Sequence, residues 1–311
     1  MTAQNVEAPC DRSARLVAVW GPAGAPGRST LSINLAAEFA CLGLRVLLVD
    51  ADTYGGSIAG YLELFDETPG FLAACRLAAM DELTEEELAR LSHDYDVAPN
   101  ATVTILSGIV NSARWPEVSA PRVRKGLSDL RPRFDVIVAD LGFNLEEDEE
   151  ISSDIAAPRR NQATLEILRG ADAVLAVARA DVIGLARFIH AFSRLSEACR
   201  SENILTIVNR AISSEAAGAR HTLSRFAGIR DIVTVYDDDA TFRKCLHQAM
   251  PLCIAAPQSA VRSQILDLVH TLLARCQIAD IPGSSGHTPF VRWRAKKAHR
   301  LHAQARERAA S

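Results

Sequence analysis

Seven cysteines are spread along the 311 residues, at Cys10, Cys41, Cys75, Cys199, Cys245, Cys253 and Cys276, and no two form a CxxC pair. An odd count without metal-ligand spacing excludes a disulfide framework or a zinc ribbon, and points to buried thiols in a reducing, cytoplasmic setting. There is also no run of roughly 18 apolar residues, which excludes a membrane-spanning helix from the pattern. The first residues, MTAQNVEAPCDRSAR, lack the apolar core of a secretory signal. Internal repeats and low-complexity tracts are missing, so a solenoid is excluded. Excess positive charge is missing as well: the net charge is −4, and the chain as a whole is not built to coat nucleic acid.

What is present is hydrophobicity in a particular order. Residues of the AVILMFWYC set make up 48% of the chain and charged residues 23%, enough to bury a sizeable core. Apolar, β-rich runs recur at LVAVW (16–20), RVLLVD (45–50), TVTILSG (102–108), FDVIVAD (134–140), AVLAVAR (173–179), NILTIVN (203–209) and DIVTVY (231–236). They are nearly continuous rather than alternating, as in strands covered on both faces. Helical patterns such as STLSINLAAEFACLG, PRVRKGLSDL, RNQATLEILRG and SAVRSQILDLVHTLLARC lie between them. This alternation predicts an α/β fold: a doubly wound, mostly parallel sheet of about seven strands with helices on both faces. The predicted organisation is a flexible N-terminus over 1–13, one domain over 14–278, and a connector with a basic tail over 279–311. From Thr288 onward there are seven Lys and Arg against one Glu, a pattern suited to an acidic partner, a membrane surface or nucleic acid.

GPAGAPGRST (21–30) joins the first strand to the first helix. Glycines allow backbone N–H groups to turn inward, and the following helix N-terminus adds partial positive charge, so such a loop suits phosphate. The GxxxxGK[ST] pattern is nevertheless missed twice, because Pro22 stands where its first glycine belongs and Arg28 where its lysine belongs. Pro26 also removes one backbone donor from the cradle. Ser29 retains a hydroxyl suited to Mg²⁺ and Thr30 one suited to phosphate. RVLLVDAD ends a strand in Asp50 and Asp52, which at i and i+2 share one side of an extended backbone. FDVIVAD ends in Asp140, in the form of a Walker B carboxylate. Each feature has a plainer reading as a turn or a cap. All three fall at the carboxyl ends of strands, where open parallel sheets bind ligands.

The combination GPAGAPGRSTLSINLAAEFACLGLRVLLVDAD, then FDVIVADLG, then TIVNR, resembles the deviant Walker A P-loop ATPases of the ParA/MinD group, a SIMIBI-like class. Within that group it is most similar to the actinobacterial CpaE/TadZ-like branch linked to pilus assembly and positioning. The resemblance spans residues 14 to 276. It implies that Gly24, Ala25, Pro26, Gly27, Arg28, Ser29 and Thr30 form the phosphate loop, with Ser29, Asp50 and Asp140 serving Mg²⁺. It implies that Asp52 positions the hydrolytic water with Asp50 as its partner, and that Asn209 reads adenine, followed by Arg210. Further adenine contacts come from YDDDATF, through Asp237 or Asp238. In the plainer reading Asn209 ends a strand and YDDD caps a helix. The group's signature lysine, four residues before the last loop glycine, is Ala23 here, so both loop lysines are absent.

Two functions follow from these residues. One is a switch in which ATP and Mg²⁺ drive homodimerisation and slow hydrolysis, quickened by an unidentified activator, resets it, and which positions a pilus or secretion machine, a septum or a chromosome. The other is a non-hydrolysing scaffold of the same fold that binds a partner or the membrane. By resemblance to MinD, Phe290, Trp293 and Leu301 of the tail would sit at the inner face of the cell membrane; the alternative is a disordered basic tail that contacts DNA or nothing.

Overall fold

The seven apolar runs all form strands. The computed structural model describes residues 13–24, 27–64, 70–109, 111–147 and 159–278. The terminal segments and the loop positions Ala25 and Pro26 lie outside the described residues. The runs become β1 (Arg15–Trp20), β2 (Val46–Ala51), β4 (Ala101–Leu106), β5 (Val136–Leu141), β6 (Ala173–Arg179), β7 (Ile204–Ala211) and β8 (Ile232–Tyr236). An eighth strand, β3 (His93–Ala98), pairs antiparallel with β4 and completes a sheet of order β3-β4-β2-β5-β1-β6-β7-β8. Its HDYDVA sequence gave no apolar signal because it is an edge strand with one wet face. Asp94 and Asp96 there accept hydrogen bonds from Thr104 and Thr102 across the pair. Every other pairing among the described residues is parallel.

Alternate side chains of each central strand feed different cores. Leu16, Ala18 and Trp20 of β1 join Leu47, Val49, Ile137 and Ala139 on one face. That face is covered by α3 (Gly70–Ala79), α5 (Ala120–Leu130), α6 (Gln162–Gly170), α7 (Val182–Ala198) and α8 (Ala216–Ala227). Val17, Val19, Val46, Leu48, Val136 and Val138 face the other way. They meet α1 (Arg28–Cys41), α10 (Leu252–Ala255) and α11 (Ala260–Arg275). Burial on both sides explains why these strands read as continuous apolar runs. The six described cysteines are free thiols, as expected; Cys41 at the end of α1 hydrogen-bonds Cys253 of α10.

The connection after β1 leaves by α1 onto one face, whereas β5, its neighbour, leads toward α6 on the other. The two exits diverge and leave a crevice over the carboxyl ends of β1 and β5, where an open sheet accepts a ligand. Helix α1 is held in place by a buried ion pair. Arg262 of α11 donates to both carboxylate oxygens of Glu38, at 2.6 and 3.0 Å, with the glutamate side chain 1% and the arginine 11% exposed. Removing one partner leaves a buried charge uncompensated. Arg262→Ala should therefore lower stability by about 3–5 kcal/mol. The double variant Glu38→Gln/Arg262→Met should lose less, as read by urea unfolding.

Candidate functional site

Two glycines shape the loop after β1. Gly24 has φ 73° and Gly27, the residue before α1, has φ 100°, both left-handed conformations that favour glycine. The surroundings reinforce the requirement. A Cβ on Gly27 would lie 2.4 Å from Nδ2 of Asn209, and one on Gly24 would lie 2.3 Å from Nη1 of Arg187. Gly27 is thus packed under Asn209 and Gly24 under Arg187 of α7.

Arg28, the first residue of α1, bends back over the entrance. Its Nη1 donates to the Gly21 carbonyl at 2.6 Å and its Nη2 to Oδ2 of Asp52 at 3.4 Å. Asp52 uses its other oxygen to accept from the amides of Tyr54, at 2.8 Å, and Gly55, at 3.3 Å, in an Asx turn. Ser57 donates to Ser29 Oγ at 2.8 Å, and Ser29 in turn hydrogen-bonds Asp140. Asp140 also accepts from Ser32 at 3.2 Å. Thr30 begins α1 beside them, and its carbonyl accepts from Asn34 at 2.7 Å.

Asp50 and Asp140 stand directly opposite each other in the β2–β5 register, about 4.8 Å apart by strand spacing. Both side chains turn to the α1 face, and both are almost fully buried. Burial and the facing Asp140 carboxylate push Asp50 up to about 8, against partial relief from the amides of Ile58 and Asp52. Burial raises Asp140 to about 6; the Ser29 hydroxyl and the nearby Arg28 hold it down, Asp52 raises it, and Ser32 lowers it. Asp50 lies deeper than the sequence suggested. Its two oxygens accept from Asp52 at 3.3 Å and Ile58 at 3.2 Å, which ties the 52–58 loop to the sheet.

At β7 the register shifts between Val208 and Ala211, with Arg210 at φ 55°. Such a bulge re-aims side chains. Asn209 turns in toward Gly27, while Arg210 turns away and donates to Asp237 at 3.0 Å and Asp239 at 3.5 Å. Asp238 caps α9 (Asp239–His247) by accepting from Thr241 at 3.1 Å, which matches its plainer reading. The structure therefore brings together Gly24, Gly27, Arg28, Ser29, Thr30, Asp52, Asp140 and Asn209. Arg210 and Asp237 engage each other instead.

No family model matches the sequence, and no curated protein does either. Solved structures do. A ParA family ATPase from Chlorobium tepidum TLS superposes with a TM-score of 0.67 at 17% identity, covering 83% of this chain and 99% of that one. The septum site-determining protein MinD from Pyrococcus horikoshii OT3, complexed with Mg-ADP, gives 0.61 at 17% identity, with 83% and 96% covered. An ATP complex of a Cyanothece McdA variant gives 0.62 at 17%, with 84% and 96% covered. The chain has the ParA/MinD ATPase fold.

Within this ParA/MinD fold, several contributors to the site carried no recognisable sequence signal. Gly56 and Gly108 pack on the Asp50 carboxylate, where a Cβ would approach within 2.6 and 2.8 Å. Ser32 and Ser57 reach the site from positions that read as ordinary helix and loop. Next to the loop after β1, and lined by none of the residues gathered above, lies a separate cleft of about 530 Å³ with Trp20, Ala23, Phe143, Glu146, Arg187 and Arg194 on its walls. Apart from Gly56 on Asp50, these contacts join residues distant in sequence, so periodicity could not reveal them.

The carboxylate pair sets a pH dependence. Unfolded, both acids ionise near 4, whereas in the fold Asp50 and Asp140 keep protons to about 8 and about 6. The folded state binds more protons between these limits, so the pair's contribution to stability is full below about 4 and is lost as pH rises through about 6 and then 8. In magnesium-free buffer the melting temperature of Asp50→Asn should fall less between pH 5 and 8 than that of the wild type; equal slopes would contradict the assignment.

Proposed function

We propose that the chain belongs to the ParA/MinD group and is a nucleotide-dependent switch that binds Mg²⁺-ATP in the crevice over β1 and β5. The observation that carries this reading is the convergence of two left-handed loop glycines, Ser29, Asp52, Asp140 and Asn209 at the carboxyl ends of interior strands. The donor set fits the ligand: the N-terminus of α1 after a left-handed glycine for phosphate, and a serine hydroxyl on a carboxylate for a hard cation. Ser29 and Asp140 would hold the Mg²⁺. The ion would supply neutralisation of phosphate charge. Asn209 would read the base, and Asp52 would orient the attacking water with Asp50 anchoring its loop. A nucleotide-driven homodimer, an activating partner and a positioning role in the cell belong to the same reading. The sequence pattern favours the CpaE/TadZ-like branch and a cytoplasmic site of action, with the basic tail as a contact for membrane or nucleic acid.

Arg28 sets the rate. It keeps the loop's positive charge, but its fork is engaged by Gly21 and by Asp52, the residue assigned to the water. The Asp52 contact is long and so easily exchanged for a phosphate oxygen. With a neutral Ala23, fewer charges meet the transferring group, and hydrolysis is slow without an activator. The same contact supports a second reading, a scaffold in which Arg28 locks Asp52 permanently and no turnover occurs.

Titration of a fluorescent ATP analogue with Mg²⁺, together with phosphate release, separates the two. Asp52→Ala should bind nucleotide about as the wild type does yet lose about 10²-fold or more in turnover. Arg28→Ala should weaken binding about tenfold through the lost charge-assisted contact. A wild type that binds no nucleotide at millimolar concentration leaves the scaffold reading standing.

A further inference from the structure

Two arginines approach the phosphate loop, and they differ in what else they touch. Arg28 faces Asp52. Arg187 projects from the second turn of α7 and donates through Nη1 to the Ala23 carbonyl at 3.3 Å. It makes no ion pair among the described residues. Three further arginines at this end of the sheet are neutralised: Arg179 by Asp181, Arg194 by Glu146 and Arg210 by Asp237. Arg187 alone among these five meets only a neutral carbonyl, which engages one of its five N–H donors and leaves the rest of the fork available.

Its placement is firm. Asp181 caps α7 by accepting from the Gly184 amide at 2.9 Å, and a Cβ on Gly184 would lie 2.6 Å from Cβ of Arg179, so this turn sits tightly against the end of β6. Leu185 and Phe188 bury the adjacent positions, with Phe188 fully enclosed. Arg187 is thereby directed over the rim, toward Ala23 and Gly24. The missing side chain at Gly24 is what lets the guanidinium approach. An uncommitted guanidinium at Ala23 and Gly24, on the loop that leads into the N-terminus of α1, suits an anion with several oxygens, which it grips through paired hydrogen bonds.

We propose that Arg187 is a phosphate-contacting residue of the nucleotide site, gripping the polyphosphate chain from the α7 side while the loop amides hold it from below. This rests on the nucleotide reading above and extends it to a residue outside every sequence motif. When phosphate is present, the Ala23 contact is exchanged for a charge-assisted one. Arg187 then supplies cationic charge that the loop, with its neutral Ala23, does not carry.

The test uses the full-length protein with Arg187→Ala, Arg187→Lys and, as a control on the same helix and cleft, Arg194→Ala. Fluorescent ATP analogue binding with Mg²⁺ is measured, with competition by ATP, ADP and adenosine. Arg187→Ala should weaken ATP about tenfold to a hundredfold, as expected for one charged hydrogen-bonding partner. Adenosine competition should stay unchanged. Arg187→Lys should recover part of the loss, since it restores charge without the fork, and Arg194→Ala should bind as the wild type does. Because Arg187 is exposed, melting temperatures should match; if Arg187→Ala melts early, Arg187→Lys against Arg194→Ala decides. Wild-type affinity for ATP in both Arg187 variants overturns this assignment alone. A wild type that binds no nucleotide overturns the nucleotide reading and this assignment with it.

Discussion

Divergence of the chain after β1 and β5 is the constraint on which the site depends. These strands are neighbours with parallel register from Arg15 opposite Val136 to Val19 opposite Asp140, yet their connections leave on opposite faces. A crevice results, and its floor is strand ends rather than side chains. Residues 21–24 lead from β1 toward that crevice, α1 starts at Arg28 on one face of the sheet, and Arg187 of α7 reaches Ala23 from the other. Ligand donors can therefore come from both helical layers at once. Continuous apolar strands, covered on both faces, hold the arrangement rigid enough to bury acids.

Those acids carry the tension in the design. Asp50 and Asp140 sit opposite each other, nearly dry, and burial together with mutual repulsion works against full ionisation. A fold that tolerates two such groups gives up stability there, and perturbed groups of this kind concentrate at functional sites. Asp50 has a partly architectural role, since its oxygens hold the amides that shape the Asp52 loop. Asp140 instead accepts from the Ser29 and Ser32 hydroxyls at the start of α1. Around them the charges are arranged as exchangeable contacts: Arg28 on Asp52 at long range, and Arg187 on a carbonyl. An incoming anion can displace either without breaking the core.

Much of this was legible in the order of residues. Seven of the eight strands follow from apolar runs, because double coverage demands them, and the strand-end acids and the loop follow from their place after those runs. β3 was not legible, since an edge strand needs only alternate burial and HDYDVA satisfies it with charged residues on the wet face. TIVNR shows the same boundary at finer scale. Adjacent residues of one motif part company at a bulge, so that Asn209 meets the loop and Arg210 meets Asp237.

Local pattern thus settles what is encoded locally: the α/β alternation, the loop glycines, and the carboxylates that end β2 and β5. These depend on backbone conformation and periodicity, which are properties of short segments. Packing settles the rest. That Arg28 turns back onto Asp52, that Gly108 packs on Asp50, and that Arg187 reaches Ala23 across 164 positions are outcomes of helices and loops meeting at the carboxyl ends of the central strands. No short window of sequence contains both partners of such a contact, and so only the assembled sheet brings them within reach.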